Sequence, residues 1–297
     1  MPHNSLIKTW AMQVRAPFLL LAVLLIAIGG AVARYDGIFH LGRFLLCLIG
    51  IVSAHASVNL FNEASDFKTG IDRNTRRTPF SGGSGNLPSG ATSARSVLIA
   101  AILTLALSAA IGLYLTVAAG WVVALFAVIG GVTIVLYTPL LSRWGIGEAA
   151  AGLSLGSLVV AGTYYAMIGT LTARVLLLSV PPGILTGLLL LLNEYPDVAA
   201  DREGGRRHLV IRLGYRGASV VYAASLALSY VILIAGVAAR IFPVTALLGC
   251  LTIPLSIIVS RDAFRSGEDF KFFIPMLGKN VMIVLGTDLL LALGYIV

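Results

Sequence analysis

Charged side chains are scarce in this sequence. Of its 297 residues, 58% are hydrophobic and only 11% are charged, and the mean hydropathy is +0.95. Soluble domains carry about 25% charged residues, because polar groups have to cover a water-facing surface. The composition therefore excludes an ordinary soluble domain and predicts a membrane protein. Cysteine is also scarce: Cys47 and Cys250 each lie in an apolar run, which excludes a disulfide framework or a cysteine metal site.

The sequence contains nine long apolar runs. Each is long enough to cross the roughly 30 Å hydrocarbon core of a bilayer. The nine runs are 16–34, 41–62, 96–117, 121–141, 146–170, 173–193, 218–239, 242–259 and 272–296. We predict an all-α fold, a polytopic membrane bundle of nine transmembrane helices, forming one domain over residues 1–297.

The loops between these runs predict an orientation. With a cytoplasmic N-terminus, sixteen of the 21 Lys and Arg residues lie inside, four lie outside and Lys279 lies within the last run. This distribution follows the positive-inside rule, so topology rather than nucleic-acid binding accounts for the net charge of +8. Eleven of the 13 acidic residues also fall inside, although the rule gives acids no preference. We therefore expect carboxylates to have a function on the cytoplasmic face.

An internal repeat is the most specific feature. Residues 62–66 end the second run and residues 193–197 end the sixth, and both segments read Asn-Glu-x-x-Asp. Repeated elements in two halves of a helical membrane protein commonly frame a central site. We predict two pseudo-repeated halves whose acidic motifs, at 59–72 and 193–201, meet at the cytoplasmic end.

The spacing of the acids predicts a metal site. Residues four apart share a helix face, and Gly70 offers a turn that would bring the following aspartate back. Facing carboxylates repel unless a cation lies between them, and oxygen ligands favour Mg²⁺. The histidines show no zinc-ligand spacing. The predicted Mg²⁺ ligands are Asn62, Asp66, Asp72, Asp197 and Asp201, and the four aspartates are the candidate catalytic residues.

Basic residues follow both motifs. Carboxylates, a metal ion and arginines together are typical of a diphosphate site. The alternative is that these arginines only enforce topology and bind anionic lipid. The predicted diphosphate-binding residues are Asn62, Lys68, Arg77, Arg202 and Arg206.

The two motifs resemble those of the UbiA superfamily of intramembrane prenyltransferases over nearly the whole chain. Residues 66–72, Asp-Phe-Lys-Thr-Gly-Ile-Asp, and the segment 197–214 are similar to the branch that prenylates 1,4-dihydroxy-2-naphthoate in menaquinone synthesis. Residues 143–148, Arg-Trp-Gly-Ile-Gly-Glu, resemble its third cytoplasmic segment, and the resemblance adds Arg143 to the diphosphate-binding set. Three departures leave the acceptor open: Glu63 replaces the usual aspartate, Tyr-Thr-Pro-Leu-Leu at 137–141 replaces a Gly-Gly-Pro stretch, and the segment 76–83 is unlike that of many naphthoate enzymes.

The resemblance implies a UbiA-type fold and a reaction. Mg²⁺ would assist ionisation of an allylic polyprenyl diphosphate, and an aromatic acceptor, 1,4-dihydroxy-2-naphthoate, would take the prenyl group. An apolar tunnel would hold the tail. The candidates for stabilising the carbocation or contacting the acceptor are Asn59, Tyr137, Asn193 and Tyr195. His55 and Lys279 are left without an assigned role.

Two alternatives remain at this level. Within the enzyme class, the acceptor could be 4-hydroxybenzoate or another quinone, lipid or porphyrin precursor. A cation-coupled transporter would instead place acids near the membrane midplane and polar loops on both sides. The expected partners are a polyprenyl diphosphate, an aromatic quinone precursor and membrane lipid, with no nucleic acid and no obligatory protein partner. The expected location is the inner (plasma) membrane, with the active site facing the cytoplasm.

Overall fold

The computed structural model describes residues 6–267 and 269–297, without the side chains of residues 73 and 74. Glu268, one of the eleven acids counted inside, lies outside the described residues. Across these ranges the chain forms helices and turns without a strand, and nine helices are long and apolar enough to cross a membrane. The predicted all-α membrane bundle is thereby confirmed.

A short helix, α1 (Leu6–Gln13), precedes the nine spans. The spans are α2 (Ala16–Tyr35), α3 (Leu41–Thr69), α4 (Ala94–Ala119), α5 (Val122–Trp144), α6 (Gly147–Ile168), α7 (Ala173–Asn193), α8 (Leu209–Ala238), α9 (Val244–Ser266) and α10 (Phe270–Gly294). Two further short helices, Ile71–Asn74 and Val198–Glu203, lie in the polar segments after α3 and α7.

Three helices extend at least seven residues beyond the predicted apolar runs, and one of them, α9, ends at Ser266 rather than near 259. Helix α3 continues to Thr69 rather than ending near residue 62, and α8 begins at Leu209 rather than near 218. Hydropathy marks only the part of a helix that lies in hydrocarbon, whereas the backbone hydrogen bonds of the helix continue into the membrane–water interface. The additional turns of α3 carry the first acidic motif, so this motif lies on a helix and not in a loop.

Helix α7 lies at the centre of the bundle. Of its span, 72% is buried inside the protein, against 6% for α5 at the periphery. Small residues let α6 approach α7 closely, as is common between membrane helices. A Cβ added at Gly156 would lie 2.5 Å from the Cα of Gly183, so neither position has room for a side chain. This close packing fixes the end of α7, where the second motif begins.

A π-helical segment interrupts α5 at Tyr137–Leu141. It contains Pro139, which cannot continue the regular hydrogen-bond ladder, and such segments often occur at functional sites. The Thr138 hydroxyl donates a hydrogen bond to Asn62 Oδ1 on α3. Tyr137 is turned inward and is buried. The π-helical segment thus presents Thr138 to the first acidic motif and turns Tyr137 into the bundle.

Charges at the other end of the bundle are paired with each other. Arg174 at the start of α7 donates to Asp36 Oδ1, just after α2. The Tyr164 hydroxyl donates to Asp36 Oδ2 at 2.7 Å. These contacts connect α2, α6 and α7 and leave the acidic motifs at the opposite end.

Candidate active site

Arg206 brings the two acidic motifs together. Its guanidinium donates through Nη2 to Asp66 Oδ1 and through Nη1 to Asp201 Oδ1, the latter at 3.0 Å. Asp66 belongs to the end of α3, and Asp201 to the short helix that follows α7. The two carboxylates are 6% and 1% exposed, so the pairing lies in the protein interior. The two motifs therefore share one arginine at a buried junction.

Gly70 positions the last aspartate of the first motif. It ends α3 in the left-handed conformation (φ 82°) and turns the chain into the short helix Ile71–Asn74, as the sequence predicts. Asp72 is 4% exposed as a result. A Cβ added at Gly83 would lie 2.7 Å from Asp72 Oδ1, so the glycine backbone closes directly over this carboxylate.

The remaining aspartates lack hydrogen-bond partners. Asp72 Oδ2 and Asp197 Oδ1 are buried and accept no hydrogen bond from any described residue, and the same holds for Asn193 Oδ1. Burial, followed by repulsion from Glu63 and Asp66, raises the pKa of Asp72 to about 7. Burial, followed by repulsion from Asp201, raises the pKa of Asp197 to about 7. Unpaired carboxylate oxygens close to other acidic groups are the chemistry that a hard divalent cation stabilises, so these residues fit a Mg²⁺ site.

Glu63 holds a loop. The carboxylate accepts hydrogen bonds from the Ser84 amide, at 3.0 and 3.1 Å to its two oxygens, and from the Ser84 hydroxyl. Its side chain is fully buried. The glutamate thereby fixes the segment 75–93 against α3, with the Gly83 backbone over Asp72.

The predicted basic ligands divide into two groups. Arg206 lies within the carboxylate junction, and the exposed Arg77 lies close enough to lower the pKa of Asp72. Lys68, Arg143 and Arg202 are exposed. Arg202 contributes instead to a basic surface pocket shared with Arg206, Arg207 and Arg212. Contact of these three exposed side chains with the diphosphate stays a prediction.

A cavity of about 540 Å³ begins beside the acidic motifs and runs into the bundle. Asn59, Asn62, Tyr137 and Asn193 line it near the motifs, and apolar side chains such as Leu115 line it further along. Asn59 also donates through Nδ2 to the Val14 carbonyl at 3.0 Å, which leaves its Oδ1 as the remaining acceptor. Three of the four predicted acceptor-side residues thus lie on the cavity wall together with the metal-site residue Asn62.

Tyr195 is the exception. It is fully buried outside the cavity wall, with its ring 5.2 Å from that of Tyr215 and 6.0 Å from that of Phe273. Its hydroxyl shares a hydrogen bond with Ser219 Oγ at 3.1 Å. The turn after α7 directs this ring into aromatic packing against α8 and α10, and a role for Tyr195 beside the acceptor stays a prediction.

A buried cluster near Asp201 was not predicted from the spacing of its residues. Glu148, Glu194 and His208 bring ligand-type atoms within 4.8 Å of one another. His208 Nδ1 lies 3.5 Å from Glu194 and its Nε2 lies 3.3 Å from Asp201. Burial and repulsion from Glu148 raise the pKa of Glu194 well above its ordinary value. Glu148 also accepts from the Leu209 amide at 2.7 Å, so it caps α8. Three separate segments supply these residues, which is why linear spacing did not predict the cluster.

The polar residues without an assigned role differ in position. Lys279 donates to Asp262 Oδ2 at 2.7 Å, which ties α10 to α9. His55 is buried, lines the cavity, and has an Nδ1 atom without a hydrogen-bond partner among the described residues. Of the two, only His55 is placed to meet a bound molecule.

Comparison with known proteins gives consistent matches. The model of the UbiA prenyltransferase family matches residues 23–277. The chain is 28% identical over 271 residues to a 1,4-dihydroxy-2-naphthoate octaprenyltransferase of Bacillus subtilis, covering 85% of this chain and 86% of that one. It is 29% identical over 299 residues to the enzyme of the same name from Escherichia coli, covering 97% and 94%. The fold is similar to that of a UbiA homolog from Archaeoglobus fulgidus, solved bound to GPP and Mg²⁺, with a TM-score of 0.63, 15% identity and coverage of 95% and 99%.

Proposed function

Because the chain belongs to the UbiA prenyltransferase family, we propose that it transfers a polyprenyl group from an allylic polyprenyl diphosphate to 1,4-dihydroxy-2-naphthoate. The observation that carries the proposal is the Arg206 bridge between Asp66 and Asp201, beside an apolar cavity. Prenyl transfer is the activity of the family, and the names of both relatives support the naphthoate acceptor.

The shape of the cavity suits a donor with a charged head and an apolar tail. Its motif end carries amide and phenol groups, whereas the remainder is lined mainly by aliphatic side chains. Leu113 and Val128 line it although they are 69% and 62% exposed on the outer surface of the bundle. The cavity therefore reaches the lipid-facing side, and a long tail can extend beyond the protein into the membrane.

The acidic motifs supply the cation site of this proposal. Asn62, Asp66, Asp72, Asp197 and Asp201 would hold Mg²⁺, and the cation bound to the Archaeoglobus fulgidus homolog supports the choice. When bound, Mg²⁺ would neutralise charge on the diphosphate leaving group. The unpaired oxygens of Asp72 and Asp197 are the donors that the protein leaves free for it.

The protein's own residues orient the reactants and exclude water. Arg206 holds the carboxylates of both motifs in register, so that the head of the donor is bound at a fixed place. The bond between the allylic carbon and oxygen breaks, and its electron pair leaves with pyrophosphate. The ring carbon that bears the carboxylate then bonds to the allylic carbon, and the carboxylate leaves as carbon dioxide. Tyr137, buried on the cavity wall, offers an electron-rich ring to the developing cation.

Charge placement supports a location in the inner (plasma) membrane with the site facing the cytoplasm. The acidic motifs and most basic residues lie at the same end of the nine spans. By the positive-inside rule that end is cytoplasmic. Soluble naphthoate would then reach the site from the cytoplasm and the donor from the bilayer.

An acceptor panel tests the function. The purified protein, with Mg²⁺ and octaprenyl diphosphate, is incubated separately with 1,4-dihydroxy-2-naphthoate and with 4-hydroxybenzoate, and products are read by mass spectrometry. We expect a prenylated product that has lost carbon dioxide from the naphthoate reaction only. Product from hydroxybenzoate alone would reject the naphthoate assignment, and no product with either acceptor would count against this reaction.

A further inference from the structure

Three polar side chains beside Asp201 lack partners although the protein buries them. Glu148, Glu194 and His208 are 4%, 8% and 1% exposed. Glu148 Oε2, Glu194 Oε2 and both ring nitrogens of His208 make no hydrogen bond with any described residue. In the described part of the chain, no lysine or arginine forms an ion pair with either glutamate. Buried polar atoms are normally paired, so these unpaired atoms indicate a missing ligand.

Backbone contacts hold the three side chains together. A Cβ added at Gly187 on α7 would lie 2.8 Å from the Glu148 carbonyl oxygen, so the first turn of α6 packs directly against α7. The Arg207 amide donates to the Ser142 carbonyl at 3.0 Å, which connects the residue before His208 to α5. The residue that follows His208 donates its amide to Glu148 Oε1 at 2.7 Å. The protein's own contacts therefore form this cluster.

His208 lies between two carboxylates. Its Nδ1 is 3.5 Å from Glu194 Oε2, and its Nε2 is 3.3 Å from Asp201 Oδ2. A neutral imidazole has one N–H donor and one lone pair, so only one of its nitrogens can donate to a carboxylate. The other nitrogen then directs its lone pair at a negative charge, unless a cation lies between them. Histidines that bind a metal usually donate their other ring N–H to a carboxylate, and Asp201 is in that position.

The ligand atoms favour a transition-metal ion over Mg²⁺. Two glutamates and one imidazole bring one ligand atom each within 4.8 Å of one another. Imidazole suits Zn²⁺ and related ions, whereas Mg²⁺ prefers oxygen ligands and retains several waters. Three protein ligands with a fourth position for water are common at Zn²⁺ sites. The aspartates of the two acidic motifs offer only oxygen, so the two sets of ligands select different ions.

We propose that Glu148, Glu194 and His208 bind a divalent transition-metal ion such as Zn²⁺ at a site separate from the Mg²⁺ site. His208 ligates the ion through Nδ1 and donates through Nε2–H to Asp201. The ion links the start of α6, the end of α7 and the start of α8. Its role is structural: it holds Asp201 in the orientation in which this carboxylate accepts from Arg206.

The test uses the full-length protein without a histidine tag, stripped of metal by a chelator. Zn²⁺ is titrated by calorimetry in a large excess of Mg²⁺, and Co²⁺ is added in parallel as a spectroscopic probe of nitrogen ligation. His208→Ala and Glu194→Gln each remove one ligand. His40→Gln, at an exposed histidine just before α3, is the matched control. Asp72→Asn alters the Mg²⁺ site alone.

We expect the wild-type protein to bind a single Zn²⁺ in excess Mg²⁺ and to show visible absorption bands with Co²⁺. Zn²⁺ should also raise its unfolding temperature, because an ion that binds only the folded state stabilises that state. His208→Ala and Glu194→Gln should each weaken Zn²⁺ binding at least about a hundredfold, more than the loss of an outer partner costs. His40→Gln and Asp72→Asn should retain the wild-type affinity for Zn²⁺.

An absence of Zn²⁺ binding by the wild-type protein in excess Mg²⁺ would overturn the proposal. Wild-type affinity in either ligand variant would do the same, and so would an equal loss in Asp72→Asn, which would assign the ion to the aspartates. Should His208→Ala fail to fold, Glu194→Gln decides the outcome, because it keeps the shape of the side chain. Neither substrate is present in these measurements, so this proposal and the proposed function can fail separately.

Discussion

At the scale of single residues, the site depends on charges buried close to one another. Asp66 and Asp201 are nearly inaccessible, and a buried carboxylate is costly unless a cation or hydrogen-bond donors face it. Arg206 provides one such cation. Asp72 and Asp197 keep unpaired oxygens instead. The protein thus neutralises part of its acidic charge itself and leaves the remainder for a ligand.

Neutralising one carboxylate in each motif tests this division. Asp66→Asn and Asp197→Asn keep the shape of the side chains but remove charge, so we expect each to lower kcat/KM by at least about a hundredfold. Thermal unfolding should show that both variants remain folded. Glu203→Gln, an exposed change on the same short helix as Asp201, serves as the control and should retain activity. Activity within tenfold of wild type in both aspartate variants would contradict the assignment.

Sequence patterns could predict the aspartates but not all of their neighbours. Asp66 and Asp197 belong to a repeated motif that is visible in one reading of the chain. His208 follows no such pattern, because the fold of the chain after Asp201 brings its Nε2 to 3.3 Å from that carboxylate. For Tyr195, the place in the motif did not reveal that its ring packs toward α8 and α10.

At the scale of elements, the segment 75–93 acts as a cover over the first motif. Glu63 fixes it at Ser84, and the Gly83 backbone meets Asp72. In the sequence this segment is visible only as a polar stretch rich in glycine and serine. The loop has a defined structure because a buried glutamate and tight glycine contacts determine its path, which composition cannot show.

A pair of glycine substitutions tests this cover. Gly83 and Gly90 both have positive φ, 71° and 74°, so alanine strains the backbone at either position. Only at Gly83 would the added Cβ approach Asp72, at 2.7 Å, whereas nothing lies within 4 Å of it at Gly90. We expect Gly83→Ala to lower kcat/KM by about tenfold or more through displacement of Asp72. Gly90→Ala should cost about 1–2 kcal/mol of stability and leave kcat/KM unchanged. Equal effects in steady-state assays would show that the contact with Asp72 has no importance.

At the scale of the whole molecule, apolar runs predicted every span, because membrane hydrocarbon imposes length and hydropathy on any helix that crosses it. The interior cavity could not be predicted in this way. It arises where α3, α4, α5 and α6 fail to fill the space between them, and glycines such as Gly130 and Gly131 contribute to that space. Hydropathy does not distinguish a glycine that leaves such a space from a glycine that does not.

Filling this space should change the preference for tail length. Gly131 lines the cavity, and nothing lies within 4 Å of a Cβ added there. A larger side chain at this position would therefore occupy space at the cavity wall. We expect Gly131→Phe to lower kcat/KM for octaprenyl diphosphate at least about fivefold more than for geranyl diphosphate. Gly42→Phe, at an exposed position of α3 away from the cavity, should alter neither value. An equal loss for both donors would show that the cavity does not hold the tail.

The opening of the cavity at Leu113 and Val128 has a consequence for how the donor enters and how the product leaves. Exposing a polyprenyl chain to water costs about 0.8 kcal/mol for each methylene. A polyprenyl donor that enters laterally from the surrounding lipid avoids this cost. The prenylated product can leave into the lipid by the same opening. Only polar species such as the released pyrophosphate then have to pass between the protein and the aqueous phase.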